Sequence, residues 1–524
     1  MVTPYETGDN NDSQSDDTAR WGEKLLERYE ALHTTVLNNL PNLWDALEFA
    51  LSVKTILNIR DCTLPFAGII LGPPSSLKTV VIELFKGRQN VYHTHNFSAK
   101  SLVSHLSGLS EEKLRKIDML PRIKNKFFIT PELAPLFSAK DDDLLQQLAI
   151  MTSVLDGHGF SNDTGAQGHR GYDEDIMFTW LGAAVDIPYK VHKHLSTLGP
   201  KLYFYRLEKI ENDDEYYYVQ KDDDFGNKVQ NISQALSEYI DYFETNPCIA
   251  FELENELPKI PLDNTKDEEF AHRYIIKLGK LLAPLRAVVP TWETRDTQGS
   301  DYAYTMAIVE DPSRAITSLR NLAKAHALSK GRNYIKVEDV PMLIQVVLST
   351  CSIERATIFD ILIANNGVLK TSQIVDYLNT TKPTALRTMT ELKATSLVDM
   401  YDVDPGEYNS EKEIRLKPEF EWFLSEKFRE LRRCKEKLPP RKDTLDNILY
   451  TKSHYKGENS LHLEKEGFPY PFPCGGKNSL HQNITTFACN YCDFESSIRY
   501  DYDKHTVIKH PNKAGYPDRN GRTG

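Results

Sequence analysis

Four side chains near the end of the chain have the types and spacing of a metal site. They are Cys489, Cys492, His505 and His510, in the pattern C-x2-C-x12-H-x4-H. Two thiolates on a tight turn and two imidazoles about one helical turn apart can converge on one ion, and this donor set suits tetrahedral Zn2+. Phe487 and Phe494 flank the cysteines, and Tyr502 stands three residues before the first histidine. So short a unit buries too little apolar surface to fold alone, and the metal would supply most of its folding free energy.

This arrangement resembles the C2H2-type zinc finger, which implies a ββα fold. Docked as such fingers dock, Ile498, Asp501 and Lys504 would face the bases. An apolar residue and an acid read base edges poorly, and one finger spans only ~3 base pairs. The expected role is a zinc-stapled accessory, docking protein as readily as nucleic acid.

A second constellation lies at Gly72-Pro73-Pro74-Ser75-Ser76-Leu77-Lys78-Thr79, after the apolar run 66–71 and before Val80, Val81, Leu84 and Phe85. It resembles the P-loop, G-x-x-x-x-G-K-[ST], which binds ATP with Mg2+. Backbone N–H groups wrap the phosphates, Lys78 would neutralise the β/γ charge, and Thr79 would hold the magnesium. Gly72, Ser75 and Ser76 complete the cradle. Leu77 stands where the pattern has its second glycine, a place that disfavours a branched side chain. The apolar run 127–129 followed by Thr130-Pro131-Glu132 fits the acidic strand that accompanies such loops, with Glu132 orienting water or holding Mg2+ through water.

The middle of the chain extends this resemblance to the AAA+ ATPases, most closely their minichromosome-maintenance branch. The run 180–188 is similar to their sensor strand, with Asp186 as its polar residue. The Gly-rich residues 156–171, including His169-Arg170, resemble a hairpin inserted before that strand. Leu198-Gly199-Pro200-Lys201 resembles the segment that sends an arginine finger into a neighbour's site, with lysine at the arginine position; lysine lacks the bidentate fork. Residues 311–340 look like the lid, and the resemblance makes Arg314 the arginine that reaches the γ-phosphate. It also implies a homo-oligomer, since such sites are completed by a neighbour.

Beyond the lid, residues 371–392 carry two short helical patterns separated by a Thr-Thr-Lys-Pro turn, followed by strand-like runs at 397–403 and 414–416. This resembles the winged-helix family. Thr381, Lys382, Thr384, Arg387 and Thr388 would then face a DNA groove.

The elements that position these groups follow from patterning. Short continuous apolar runs at 66–71, 127–129, 176–184 and 202–205 alternate with helical stretches, as in a parallel sheet covered on both faces. Residues 20–60 and 230–350 read as helical. The expected fold is multidomain. It has an acidic disordered tail (1–19), N-terminal helices (20–60), an α/β P-loop, AAA+-like core (61–210) and a helical lid (211–350). A winged helix (351–425), a basic, Pro-rich linker (426–485), the ββα finger (486–511) and a second tail (512–524) follow.

Composition bounds the rest. The 524 residues suffice for roughly three domains. Hydrophobic content of 40% and charged content of 26% are those of a globular protein, and no apolar run is long enough to span a membrane. Residues 1–17 lack the apolar centre of a signal peptide. Seven cysteines, only two of them at a ligand spacing, suit a reducing intracellular, cytoplasmic compartment rather than a disulfide framework. The net charge of −12 is uneven, acidic over 208–224 and basic over 410–442, which allows a polyanion to bind the C-terminal part. The leading expectation is an ATP-hydrolysing, DNA-associated motor or loader. Its rival is a non-hydrolysing nucleic-acid-binding regulator with the loop kept as scaffold. A transcription factor reading DNA through the finger is weakened by Ile498 and Asp501.

Overall fold

The computed structural model describes residues 10–104, 106, 108–164, 168–199, 201–207, 224–245, 252–254, 257–296, 299–304, 306–404, 411–433, 487–488 and 495–496. The chain divides into two units, Met1–Pro439 and Pro440–Gly524.

The first unit is built on a parallel five-stranded sheet in the order β2-β3-β6-β1-β7. Its strands are β1 (Phe66–Leu71), β2 (Val91–His93), β3 (Phe127–Thr130), β6 (Thr179–Ala184) and β7 (Leu202–Arg206), with the hairpin β4 (Phe160–Thr164) and β5 (Gly168–Tyr172) inserted between β3 and β6. Every residue of β1, β3 and β6 is buried, which is why these strands read as continuous apolar runs. Alternation divides their side chains between two cores. Phe66, Ile70, Phe127, Ile129 and Leu181 point into one, and Ala67, Ile69, Leu71, Phe128 and Trp180 into the other. Period-two patterning is thus present, but both phases are apolar.

Helices cover the first face. The helix Asn10–Asn39 buries Trp21, Leu25, Tyr29, Leu32 and Val36 at helical spacing. It packs with Trp44–Thr55, Phe225–Thr245, Glu269–Arg286, Ser313–Ser329 and Val340–Ser349 in one continuous core. Trp21 meets the Phe243 ring at 5.8 Å, and Tyr239 donates to the Ser329 carbonyl at 2.7 Å. Residues 20–60 are therefore one layer with the later helices, not a separate preface. Two further expectations are corrected. The first helix begins at Asn10, inside the supposed tail. Two hairpins interrupt the stretch expected to be helical: β8 (Glu252–Glu254) with β9 (Leu257–Lys259), and β10 (Thr291–Asp296) with β11 (Gly299–Tyr304).

Residues 353–433 form a helical and antiparallel subdomain. Helices Ile353–Ala364, Thr371–Leu378 and Lys382–Ala394 pack on a three-stranded sheet in the order β12 (Val368–Lys370), β14 (Lys412–Leu416), β13 (Val398–Asp402). The subdomain runs past residue 425, where a linker was expected. The helix Glu426–Arg433 docks through buried Phe428 and Leu431. Arg432 forks onto both oxygens of Asp360 at 2.7 and 2.8 Å. Its many charges hide its packing face from a compositional reading. In the second unit, β15 (Phe487–Ala488) pairs antiparallel with β16 (Glu495–Ser496). No helix among the described residues is long and apolar enough to cross a membrane.

Candidate functional site

Strand register decides which chemistry-bearing residues meet. Leu71 of β1 lies level with Ala184 of β6 and Arg206 of β7, while Thr130 of β3 lies level with Gly182. The 72–79 loop, Glu132, Asp186 and Arg206 therefore share the carboxyl edge of the sheet. That is the edge where open α/β sheets bind ligands.

The loop leaves β1 and turns directly into the helix Lys78–Glu83. Gly72 packs closely under Ser76: a Cβ there would lie 2.7 Å from Ser76 Oγ, which would have to rotate aside. Ser75 and Leu77 both take the left-handed conformation, at φ of 65° and 62°, which costs a side-chain-bearing residue about 1–2 kcal/mol. Leu77 thus adopts the backbone shape a glycine would give, and its side chain packs against the core. Its effect on the loop is strain rather than a change of shape.

Lys78 is buried, with its ammonium at the centre of the loop. It donates to the carbonyls of Gly72 at 2.7 Å and Pro73 at 2.6 Å, and to Ser76 Oγ at 3.1 Å. Burial lowers its pKa, and the Glu132 carboxylate pulls the other way. All three of its hydrogen bonds go to neutral oxygens, so an arriving anion would add ion-pair attraction to charge-assisted bonds the ammonium already makes. Thr79 is exposed at the start of the helix. Glu132 accepts from the Ala134 amide at 2.8 Å, which fixes it at the end of β3. Asp186 is exposed and takes Arg206 Nη2 at 3.0 Å. Sequence reading passed over Arg206; the signal was an arginine closing an otherwise apolar strand.

Lys201 and Arg314 sit at the opposite edge. Lys201 immediately precedes β7, and Gly157 approaches Pro65 just ahead of β1. Both cations meet on Asp156, at 2.6 Å from Lys201 Nζ and 2.8 Å from Arg314 Nη1. Arg314 also donates to the Leu155 carbonyl at 2.8 Å. At ~3.3 Å per residue, the length of β1 separates this cluster from the loop by about 17 Å. Arg314, expected at the γ-phosphate, is thus not brought to the loop of its own chain. Its partner Asp156 was not singled out in the sequence.

The hairpin residues fall on β5. His169 lies 3.3 Å from both Asp163 and Asp173, and Arg170 donates to the Ser104 carbonyl at 3.0 Å. Gly159 and Gly171 are both at positive φ, and a Cβ at either would lie 2.0–2.2 Å from a backbone oxygen across the hairpin.

In the C-terminal subdomain, Lys382 and Thr384 are exposed on the first turn of the helix Lys382–Ala394. Thr381 and Thr384 hydroxyls are 3.0 Å apart, and Thr388 donates to the Thr384 carbonyl at 3.1 Å. Arg387 Nε donates to Glu391 at 3.1 Å, so a phosphate or base would have to draw it away. Cys489, Cys492, His505 and His510 lie outside the described residues, as do Ile498, Asp501 and Lys504.

No family model matches the chain, and no curated protein matches it.

Proposed function

We propose that this chain is an AAA+-type P-loop ATPase that couples ATP hydrolysis to work on DNA as a motor or loader. The observation carrying this reading is the buried Lys78 ammonium, held on neutral oxygens at the centre of a loop whose Ser75 and Leu77 take the left-handed conformation. On ATP binding, Lys78 exchanges the Gly72 and Pro73 carbonyls for β/γ oxygens, and loop N–H groups take the rest. Thr79 holds Mg2+, and Glu132 orients the attacking water. Asp186, held by Arg206, stands at the same edge as the polar sensor. Arg314 and Lys201 act on the site of a neighbouring copy, so the working form is a homo-oligomer. The subdomain 353–433 is read as a winged helix. Its three helices, three-stranded antiparallel sheet and exposed Lys382 and Thr384 support DNA contact there, with Arg387 and Thr388 behind them. The terminal set binds Zn2+ as a finger.

Phosphate release by the purified chain, with and without DNA, tests this. Lys78→Ala should lower turnover by at least about 100-fold, the scale on which loss of one transition-state donor acts, while zinc content stays the same. Undiminished turnover would overturn the site. Lys78-dependent binding of a fluorescent ATP analogue with no phosphate release would instead establish the non-hydrolysing regulator.

A further inference from the structure

The helix that begins with Lys78 ends at Glu83, and there it faces the edge strand β2. His93 closes that strand and His95 follows two residues later, so the two imidazoles fall on one side of an extended segment. A carboxylate oxygen of Glu83 and one ring nitrogen from each histidine all lie within 4.8 Å of one another. The two rings meet edge to face with centroids 4.6 Å apart.

The contact between Glu83 and His93 has the spacing of two ligands on one ion. His93 Nε2 lies 3.3 Å from Glu83 Oε1, yet this buried nitrogen makes no hydrogen bond of acceptable geometry. A separation of 3.3 Å matches two ligands on one tetrahedral ion with bonds of ~2.1 Å, which stand about 3.4 Å apart. His95 is exposed, and its ligand atom already lies within 4.8 Å of the other two. The second carboxylate oxygen, Oε2, is taken by Lys86 at 3.0 Å. Such an outer partner fixes a ligating carboxylate and leaves Oε1 facing the histidines. Lys86 is itself half exposed and can move away from an incoming cation.

The geometry points to Glu83, His93 and His95 as a three-donor site for a transition-metal dication, Zn2+ foremost. Two imidazoles select against Mg2+ and Ca2+, which take oxygen donors. Three protein ligands leave a fourth position open to water. Bound metal would pin the end of the helix that carries Lys78 to the edge of the sheet. This site is independent of the terminal cysteine–histidine set and of any nucleotide.

The test is titration with Co2+ and Zn2+ of the full chain carrying Cys489→Ser and Cys492→Ser, which silences the terminal set. One equivalent should bind with a nitrogen/oxygen-type Co2+ spectrum lacking sulfur charge-transfer bands, and millimolar Mg2+ should not compete. His95→Ala, at an exposed position, should weaken Zn2+ binding by at least about tenfold, the smallest effect even an outer partner produces. Glu83→Gln, which keeps the side-chain volume, should do the same. Absence of bound metal in the cysteine-silenced chain, or unchanged affinity in both variants, would overturn the assignment. Failure of the terminal zinc reading would show separately, as no sulfur charge-transfer band in the unsubstituted chain.

Discussion

Asp339 is fully buried, and four donors converge on it. His326 Nδ1 lies at 2.7 Å, Arg332 reaches both oxygens at 2.8 and 3.1 Å, and the Lys336 amide donates at 2.8 Å. Burial alone would raise its pKa, but the hydrogen bonds and charges of His326 and Arg332 win and hold it at about 2, below the usual 3.8. A carboxylate depressed in the folded state binds protons more readily when unfolded, so its stabilisation is complete above the unfolded value and disappears as pH falls through the folded one. The window is therefore from about pH 4 down to about pH 2, and the effect is on the order of 2 kcal/mol. Urea midpoints of wild type and Asp339→Asn across that range check this. The acid limb should flatten in the variant, and equal slopes would show that Asp339 does not carry it. The consequence spreads beyond one residue, because His326 also reaches Glu48 at 3.1 Å, which in turn accepts from Tyr29 at 2.6 Å. The cluster thus joins the first helices to the later ones.

At the scale of elements, the sheet was legible because its strands are apolar in both phases and bounded by Gly, Pro and polar turns. The same residues explain why the loop and Glu132 were found together: both follow directly from strand ends. What escaped was decided by long-range packing. The helix from Asn10 starts among polar and acidic residues that give no apolar periodicity, and Trp21, ahead of the helical stripe read from Leu25 onward, finds its place only against Phe243. Arg314 opens a helix as expected, but which edge of the sheet it meets depends on Asp156, 158 residues away. The segment 426–433 was hidden for another reason: charged residues surround a two-residue anchor. Phe428 is fully buried, with its ring 5.4 Å from Trp422 and 5.0 Å from Phe423. Phe428→Ala should cost about 3–5 kcal/mol, as removal of a buried aromatic side chain does. Urea unfolding followed by tryptophan fluorescence reads this directly. A loss below about 1 kcal/mol would return the segment to the status of a linker.

For the whole molecule, the decisive geometry is that the two groups of charged residues occupy opposite edges of one sheet. Lys78, Glu132, Asp186 and Arg206 stand at the carboxyl ends of the strands, and Lys201 and Arg314 at the amino ends, both on Asp156. A single chain cannot bring these edges together without breaking β1. Two chains can, in a head-to-tail contact where one copy's amino edge covers the next copy's loop; such heterologous contacts close into a ring where the rotation closes. Burial and the nearby Arg314 charge lower the pKa of Lys201, and the Asp156 contact counters them. Hydrolysis by mixed assemblies tests the arrangement. Lys78→Ala chains lack a working loop, and chains carrying Lys201→Ala with Arg314→Ala lack the covering edge. Each preparation alone should be inactive. An equal mixture should recover about a quarter of the wild-type rate, since half the loops and, independently, half the facing edges are intact in a randomly mixed ring. Recovery requires that Lys201 and Arg314 serve a loop other than their own. No recovery, from chains shown to co-assemble, would confine them to holding Asp156 within one chain.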